Sequence, residues 1–147
     1  MEYKRTYNFF RNLIGTPFIW SVLIPLVLLD IVIEIYHRIC FPLYHLPIVR
    51  RSTYIKFDRY KLPYLKWWEK MGCLYCDYAN GLLRYSTAIA SETEKYWCSI
   101  RHEKDPNYIE PEHHKYFIEY GDEKSYRLLE ENYQRLQEEE YEKKKKK

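Results

Sequence analysis

Glycine is scarce in this chain, with four in 147 residues. Gly15, Gly72, Gly81 and Gly121 are too far apart to build a phosphate-cradling loop, and neither a nucleophile elbow nor a Ser–His–Asp spacing is present. An excess of one charge is also lacking. The 24 Lys and Arg are interleaved with 21 Asp and Glu for a net charge of +3, which argues against a dedicated nucleic-acid binder. No small-residue cleavage pattern follows the N-terminal apolar run, so a membrane segment is favoured there, with a secretory signal peptide as the alternative. A βαβ context for a thioredoxin-like redox pair is missing as well.

Aromatic residues are abundant, at 18% with 17 tyrosines and 4 tryptophans. Such rings suit an amphipathic boundary, where one end of the side chain is apolar and the other is wet. The apolar residues cluster near the N-terminus. Residues 13–29, LIGTPFIWSVLIPLVLL, carry no charge, and apolar character continues to about Tyr36. About 20 helical residues span the ~30 Å hydrocarbon layer, so the run is long enough to cross. Pro25 falls within it and predicts a kink. Two geometries follow: a kinked single span, or a shallow helix–break–helix that enters and leaves by one face. Asp30 and Glu34 disfavour deep placement of the second half, since a carboxylate at the bilayer centre costs roughly 2.5–3.5 kcal/mol. Lys4, Arg5 and Arg11 precede the run, and Arg38, Arg50, Arg51 and Lys56 follow it, which favours a cytoplasmic C-terminal side.

Asp30, Glu34 and His37 recur at i, i+4 and i+7 and share a helix face. Glu34-x-x-His37 has the spacing of carboxylate-bridged di-iron bundles, but no second such motif accompanies it. This face is expected to meet water where the helix leaves the bilayer. Pro42 and Pro47 in CFPLYHLPIVRR are expected to prevent a regular helix over 40–51 and leave a headgroup-level linker.

Residues 58–71 read as a turn feeding a helix, with Asp58 as a cap. A second helical pattern covers 74–97, interrupted by Asn80-Gly81, which is a turn signal, with a glycine packed against a neighbouring helix as the alternative. Two helices with the Cys73-x-x-Cys76 motif at their junction are therefore expected. Further on, Cys98 and His102 stand four apart, one helical turn. Together these make Cys-x2-Cys-x21-Cys-x3-His, the arithmetic of a closed tetrahedral Zn²⁺ site on Cys73, Cys76, Cys98 and His102. Iron remains open, since thiolates bind both metals. A redox pair and unliganded buried thiols are the alternatives. A c-type haem is excluded by Asp77 following Cys76. His113 and His114 are expected to be solvated. Asp58, Arg59, Glu69, Asn80, Arg84, Glu92, Thr93 and Glu94 are read as caps, ion pairs and ligand-orienting groups rather than a catalytic network.

Residues 103–112 form a proline-marked linker, and 122–140 read as a charged helix with a narrow stripe of Tyr126, Leu129, Tyr133 and Leu136. The Lys-rich end is expected to be solvated, or to touch anionic lipid.

Several short motifs carry a family likeness: Asp58-Arg59, Tyr64-Leu65, Glu69-Lys70, Cys73-Leu-Tyr-Cys76, Tyr78-Ala-Asn-Gly81, Thr93-Glu94 and Tyr96-Trp-Cys98, ending at Ile100 and His102. With Leu29-Asp30 and Phe41-Pro42, they make residues 15–103 resemble a family of uncharacterised small bacterial membrane-associated proteins. The family usually has proline where Ser99 stands here. The resemblance implies the architecture, the cysteine–histidine set and a place at the bacterial inner membrane, but no reaction.

The expected protein is mainly α. It has a basic flank (1–12), a membrane segment (13–36), a juxtamembrane linker (37–52), a helical Cys/His domain (53–103), and a linker, charged helix and Lys-rich tail (104–147). The expected role is that of an accessory or scaffolding component of a membrane complex, binding lipids and a protein partner but no nucleic acid. A metalloenzyme or redox protein using the same ligands is the alternative, and a lipid-binding module using residues 38–61 is a third.

Overall fold

The computed structural model describes residues 9–145. It is mainly α, as expected: α1 (Phe9–Ser21), α2 (Leu23–Leu43), α3 (Trp67–Trp97) and α4 (Glu123–Lys145), with three short 3₁₀ turns between them. Among the described residues there is no β-strand, only an isolated parallel bridge between Ile100 and Ile118. The chain divides into two compact units, one through Thr93 and the other from Glu94. The apolar segment thus shares a unit with most of α3.

The α1–α2 break falls at Val22, three residues before Pro25. That is where a proline acts: it has no N–H for the carbonyl four residues back, here Ser21, and its ring crowds that carbonyl. The ladder resumes with Leu26 N–H donating to Val22 O at 3.2 Å. Helix α2 then runs further than expected, through Pro42 to Leu43. A proline in the last turn removes only one bond, and the end is well closed. His45 N–H donates to Pro42 O at 3.3 Å and Leu46 N–H to Phe41 O at 2.8 Å, with His45 at φ 56°. This is the Schellman pattern, in which the left-handed position is usually glycine. Leu46 packs against the core that holds Phe41, completing the hydrophobic contact of that motif.

A further correction concerns α3. The expected pair of helices is one uninterrupted helix of 31 residues, with the Cys73–Cys76 motif inside it. Its start lies at Trp67, where the Glu69 carboxylate accepts the Lys66 N–H at 3.0 Å, one half of a capping box. Asp58 makes no cap and instead pairs with Lys56 at 3.0 Å. Asn80-Gly81 is not a turn. Gly81 lets the backbone of residues 54–55 lie directly on α3: a Cβ there would stand 2.9 Å from Tyr54 O and 3.0 Å from Ile55 Cα. The core of this unit is Leu26 and Phe41 of α2 with Ala79, Leu82, Tyr85 and Ile89 of α3.

In the second unit, Arg101 N–H donates to Ile118 O and Ile118 N–H to Ser99 O, both at 2.8 Å. These bonds close the loop 99–118. Helix α4 is capped by Asp122, which accepts from Ser125 N at 3.1 Å and Ser125 Oγ at 2.6 Å. It exposes the Tyr126, Leu129, Tyr133 and Leu136 stripe in large part, with Tyr133 donating to Tyr96 at 3.0 Å.

Candidate functional site

The polar face of α2 is largely covered, with the Asp30 and Glu34 side chains 17% and 27% exposed. It is folded under α3 and the returning segment. Arg51 holds Asp30 in a two-pronged pair, with Nη2 at 2.7 Å from Oδ2 and Nη1 on Oδ1. Tyr78 donates to the same carboxylate at 2.8 Å. Glu34 takes Arg38 Nε at 2.8 Å and the Tyr85 hydroxyl at 3.2 Å, and Arg51 stands 3.7 Å away. The Arg51 guanidinium also lies 5.6 Å from the Tyr85 ring centre.

His37 completes a directional chain. It is 4% exposed, and its Nε2 accepts the Val49 N–H at 3.1 Å. A ring nitrogen that accepts has no proton, so the neutral ring carries its proton on Nδ1. That N–H donates to Tyr85 Oη at 3.0 Å, and Tyr85 in turn donates to Glu34. Burial, with the Glu34 carboxylate alongside, pushes the Tyr85 hydroxyl up to about 12. Burial and the bond to Asp30 do the same for Tyr78, to about 12. Both therefore act as donors at neutral pH. Farther along, Tyr36 and Thr93 hydroxyls meet at 2.7 Å, and Tyr75 reaches back to Ile19 O at 2.9 Å.

Cys73 and Cys76 lie on α3, half-buried and exposed respectively, while Cys98 follows the last residue of that helix. All four cysteines are free thiols. Because α3 is continuous, the Cys73–Cys76 motif lies inside a helix and not at a junction. Cys73 and Cys76 instead open with Arg59, Glu69 and Trp68 onto a cleft of about 320 Å³. Arg59 donates through Nε to Asp77 at 2.6 Å, and the other oxygen of this buried carboxylate has no hydrogen-bond partner. Cys40 is half-buried on α2.

His102 belongs to a different cluster, its ring centre 5.7 Å from that of His114. His113 and His114, expected to be solvated, both converge on Glu94. His113 Nε2 lies 2.8 Å from Oε2 and His114 Nε2 3.0 Å from Oε1. His114 is 1% exposed and stacks on Phe117 with 4.8 Å between ring centres. Burial pushes the Glu94 carboxyl up, but the two imidazole contacts outweigh it and hold it below the usual glutamate value. Among the described residues, Glu94, His113 and His114 are the one set of three His, Cys, Asp or Glu side chains whose donor atoms all lie within 4.8 Å of one another.

No protein-family model, curated protein or solved structure matches the chain.

The remaining polar residues act locally. Asn80 Nδ2 donates to Cys76 O at 3.0 Å, and Thr93 Oγ1 donates to Ile89 O at 3.0 Å. Sequence reading missed Arg51, Tyr78 and Tyr85 as partners of the Asp30 face. The signal was present: three acidic or imidazole groups on one face of an apolar helix need donors, and tyrosines recur along α3 at helical spacing. It also missed the Glu94 cluster, because its members stand 19 and 20 positions apart across an irregular loop.

Proposed function

We propose that this chain is a membrane-anchored helical protein, an accessory or scaffolding component of a membrane complex, whose apolar helices sit in one leaflet. One observation carries the reading: α2 has two opposite faces with different partners. Leu13–Leu43 is long and apolar enough to cross a membrane, yet only 6% of its most apolar window is buried. Ile24, Leu28, Ile31, Val32, Ile35 and Ile39 are each more than half exposed. An apolar surface of this extent requires lipid or protein cover. The other face is bound to α3.

The side-by-side packing supports a one-leaflet placement over a span. Contacts join Ile19 to Tyr75, Asp30 to Tyr78, Glu34 to Tyr85 and Tyr36 to Thr93, so α3 accompanies the apolar helices from Tyr75 to Thr93, a rise of 18 residue steps. That is about 27 Å, close to the full ~30 Å hydrocarbon thickness. A spanning α2 would carry Arg84 and Glu92 of α3 into lipid, at roughly 2.5–3.5 kcal/mol for a charged group at the centre. An in-plane arrangement, with α3 above the apolar pair, avoids this. Basic residues on both sides of the segment favour the cytoplasmic leaflet, and the family resemblance makes the bacterial inner membrane the expected location.

A structural rather than catalytic role for the Asp30 face is supported by its closure, because its acceptors and donors are taken up by one another.

Co-flotation of the full chain with lipid vesicles tests the anchor. The parent should float, and Ile31→Lys/Ile35→Lys should remain at the bottom while keeping its helicity. Equal flotation of both would overturn the assignment of this face to lipid.

A further inference from the structure

We infer that Glu94, His113 and His114 form a binding site for a divalent transition-metal ion of the zinc type, with a fourth position open to water. The three side chains come from the last turn of α3 and from the 3₁₀ turn Glu112–Tyr116. Loop closure around Ile100 and Ile118 brings these elements together within the second unit. Two imidazoles and one carboxylate are a donor set that suits first-row divalent ions. A tetrahedral ion with bonds of about 2.0–2.1 Å holds its ligand atoms roughly 3.3 Å apart. The two N–O separations are 2.8 and 3.0 Å, one to each carboxylate oxygen, and the donor atoms of all three side chains lie within 4.8 Å of one another, so side-chain adjustment alone would bring them to that spacing.

A second observation points the same way. His114 Nδ1 is buried and has no hydrogen-bond partner. With Nε2 donating to Glu94, the proton is on the wrong side of the ring for the group that faces Nδ1, which is Glu110 Oε1 at 4.0 Å. An ion on Nε2 reverses this. Nε2 then gives its lone pair to the metal, the ring proton sits on Nδ1, and it aims at a carboxylate. Histidine ligands are commonly oriented by such an outer carboxylate. Glu110 is itself fixed by Arg101, whose Nε lies 2.7 Å from Oε1 and whose Nη2 bonds Oε2. Phe117 covers the His114 ring, while the His113 and Glu94 side chains keep 17% and 34% of their surface exposed, giving the ion a way in. The bland alternative is a carboxylate that simply hydrogen-bonds two histidines. In its neutral form it leaves the Nδ1 lone pair facing the Glu110 carboxylate.

The experiment is metal binding by the reduced full chain in detergent micelles, titrated with Co²⁺ and Zn²⁺ alone. The proteins compared are the parent, a variant with Cys40, Cys73, Cys76 and Cys98 all changed to Ser, and the variants Glu94→Gln, His113→Ala and Glu110→Gln. About one Co²⁺ per chain is expected in the parent and in the cysteine-free variant, with a visible spectrum free of thiolate charge transfer. Glu110→Gln should weaken binding roughly 10–100-fold, and Glu94→Gln and His113→Ala by at least as much. Circular dichroism identifies any variant that fails to fold. Glu94→Gln, which preserves shape and removes only charge, remains decisive if His113→Ala does not fold. Absence of binding in the folded parent would overturn the site. So would binding that disappears in the cysteine-free variant, which would return the metal to the thiols.

Discussion

The pair between Asp30 and Arg51 gives the sharpest energetic test of how α2 is held. Arg51 meets Asp30 with two parallel bonds, and the two side chains are 38% and 17% exposed. Fully exposed ion pairs contribute about 0–1 kcal/mol. Removing one partner of a fully buried pair costs about 3–5 kcal/mol. At this intermediate exposure Arg51→Met should cost roughly 2–3 kcal/mol. It leaves Asp30 charged with only Tyr78 as donor. Asp30→Asn removes the same pair from the other side. If the interaction is direct, the double variant should be less destabilised than the sum of the singles by roughly 1–2 kcal/mol, within the range for groups in contact. Denaturant unfolding of the four proteins in one detergent, followed by circular dichroism, measures the coupling. Additivity within about 0.5 kcal/mol would mean that the pair does not hold α2 to the returning segment at Arg51.

Other outcomes follow from individual residues. His45→Gly should raise stability by roughly 0.5–1 kcal/mol in thermal melts, since φ 56° strains a side chain and suits glycine; a loss would contradict the Schellman closure. Gly81→Val should destabilise by roughly 1–3 kcal/mol, because the obstruction is backbone at residues 54–55 and cannot rotate away; an unchanged melting temperature would rule out that close approach. Tyr85 has its hydroxyl raised from 10.0 to about 12. The unfolded chain releases this proton first, so the stability it contributes is whole below about pH 10 and is lost between about pH 10 and 12. Unfolding titrations of the parent and Tyr85→Phe should show a steeper alkaline loss in the parent, and identical slopes would refute the burial.

The helical class, the apolar segment and the effect of Pro25 were legible because each rests on local chemistry: periodicity, length, and a missing N–H. The charged fourth helix was legible for the same reason. The continuity of α3 was not. Asn80-Gly81 is locally a turn signal, and only the backbone of residues 54–55 lying on Gly81 shows that the glycine serves packing. That one misreading moved the Cys73–Cys76 motif from a junction into a helix. The Asp30, Glu34 and His37 face was correctly grouped, but its burial depends on Arg51, Tyr78 and Tyr85, which are distant in sequence. Glu94, His113 and His114 are joined only by the closure of loop 99–118, and no spacing rule encodes such a closure.

The depth of the apolar helices in a bilayer tests the membrane assignment most directly. Single spin labels at Phe18, Ile24, Ile31, Ile35 and Ile39, on a cysteine-free chain in vesicles, can be ranked by collisions with an apolar and a polar relaxant. An in-plane pair should give similar shallow depths in one leaflet at all five positions. A steady progression through the bilayer centre, with Phe18 and Ile39 near opposite surfaces, would contradict the one-leaflet anchor and leave α3 without an aqueous place beside α2.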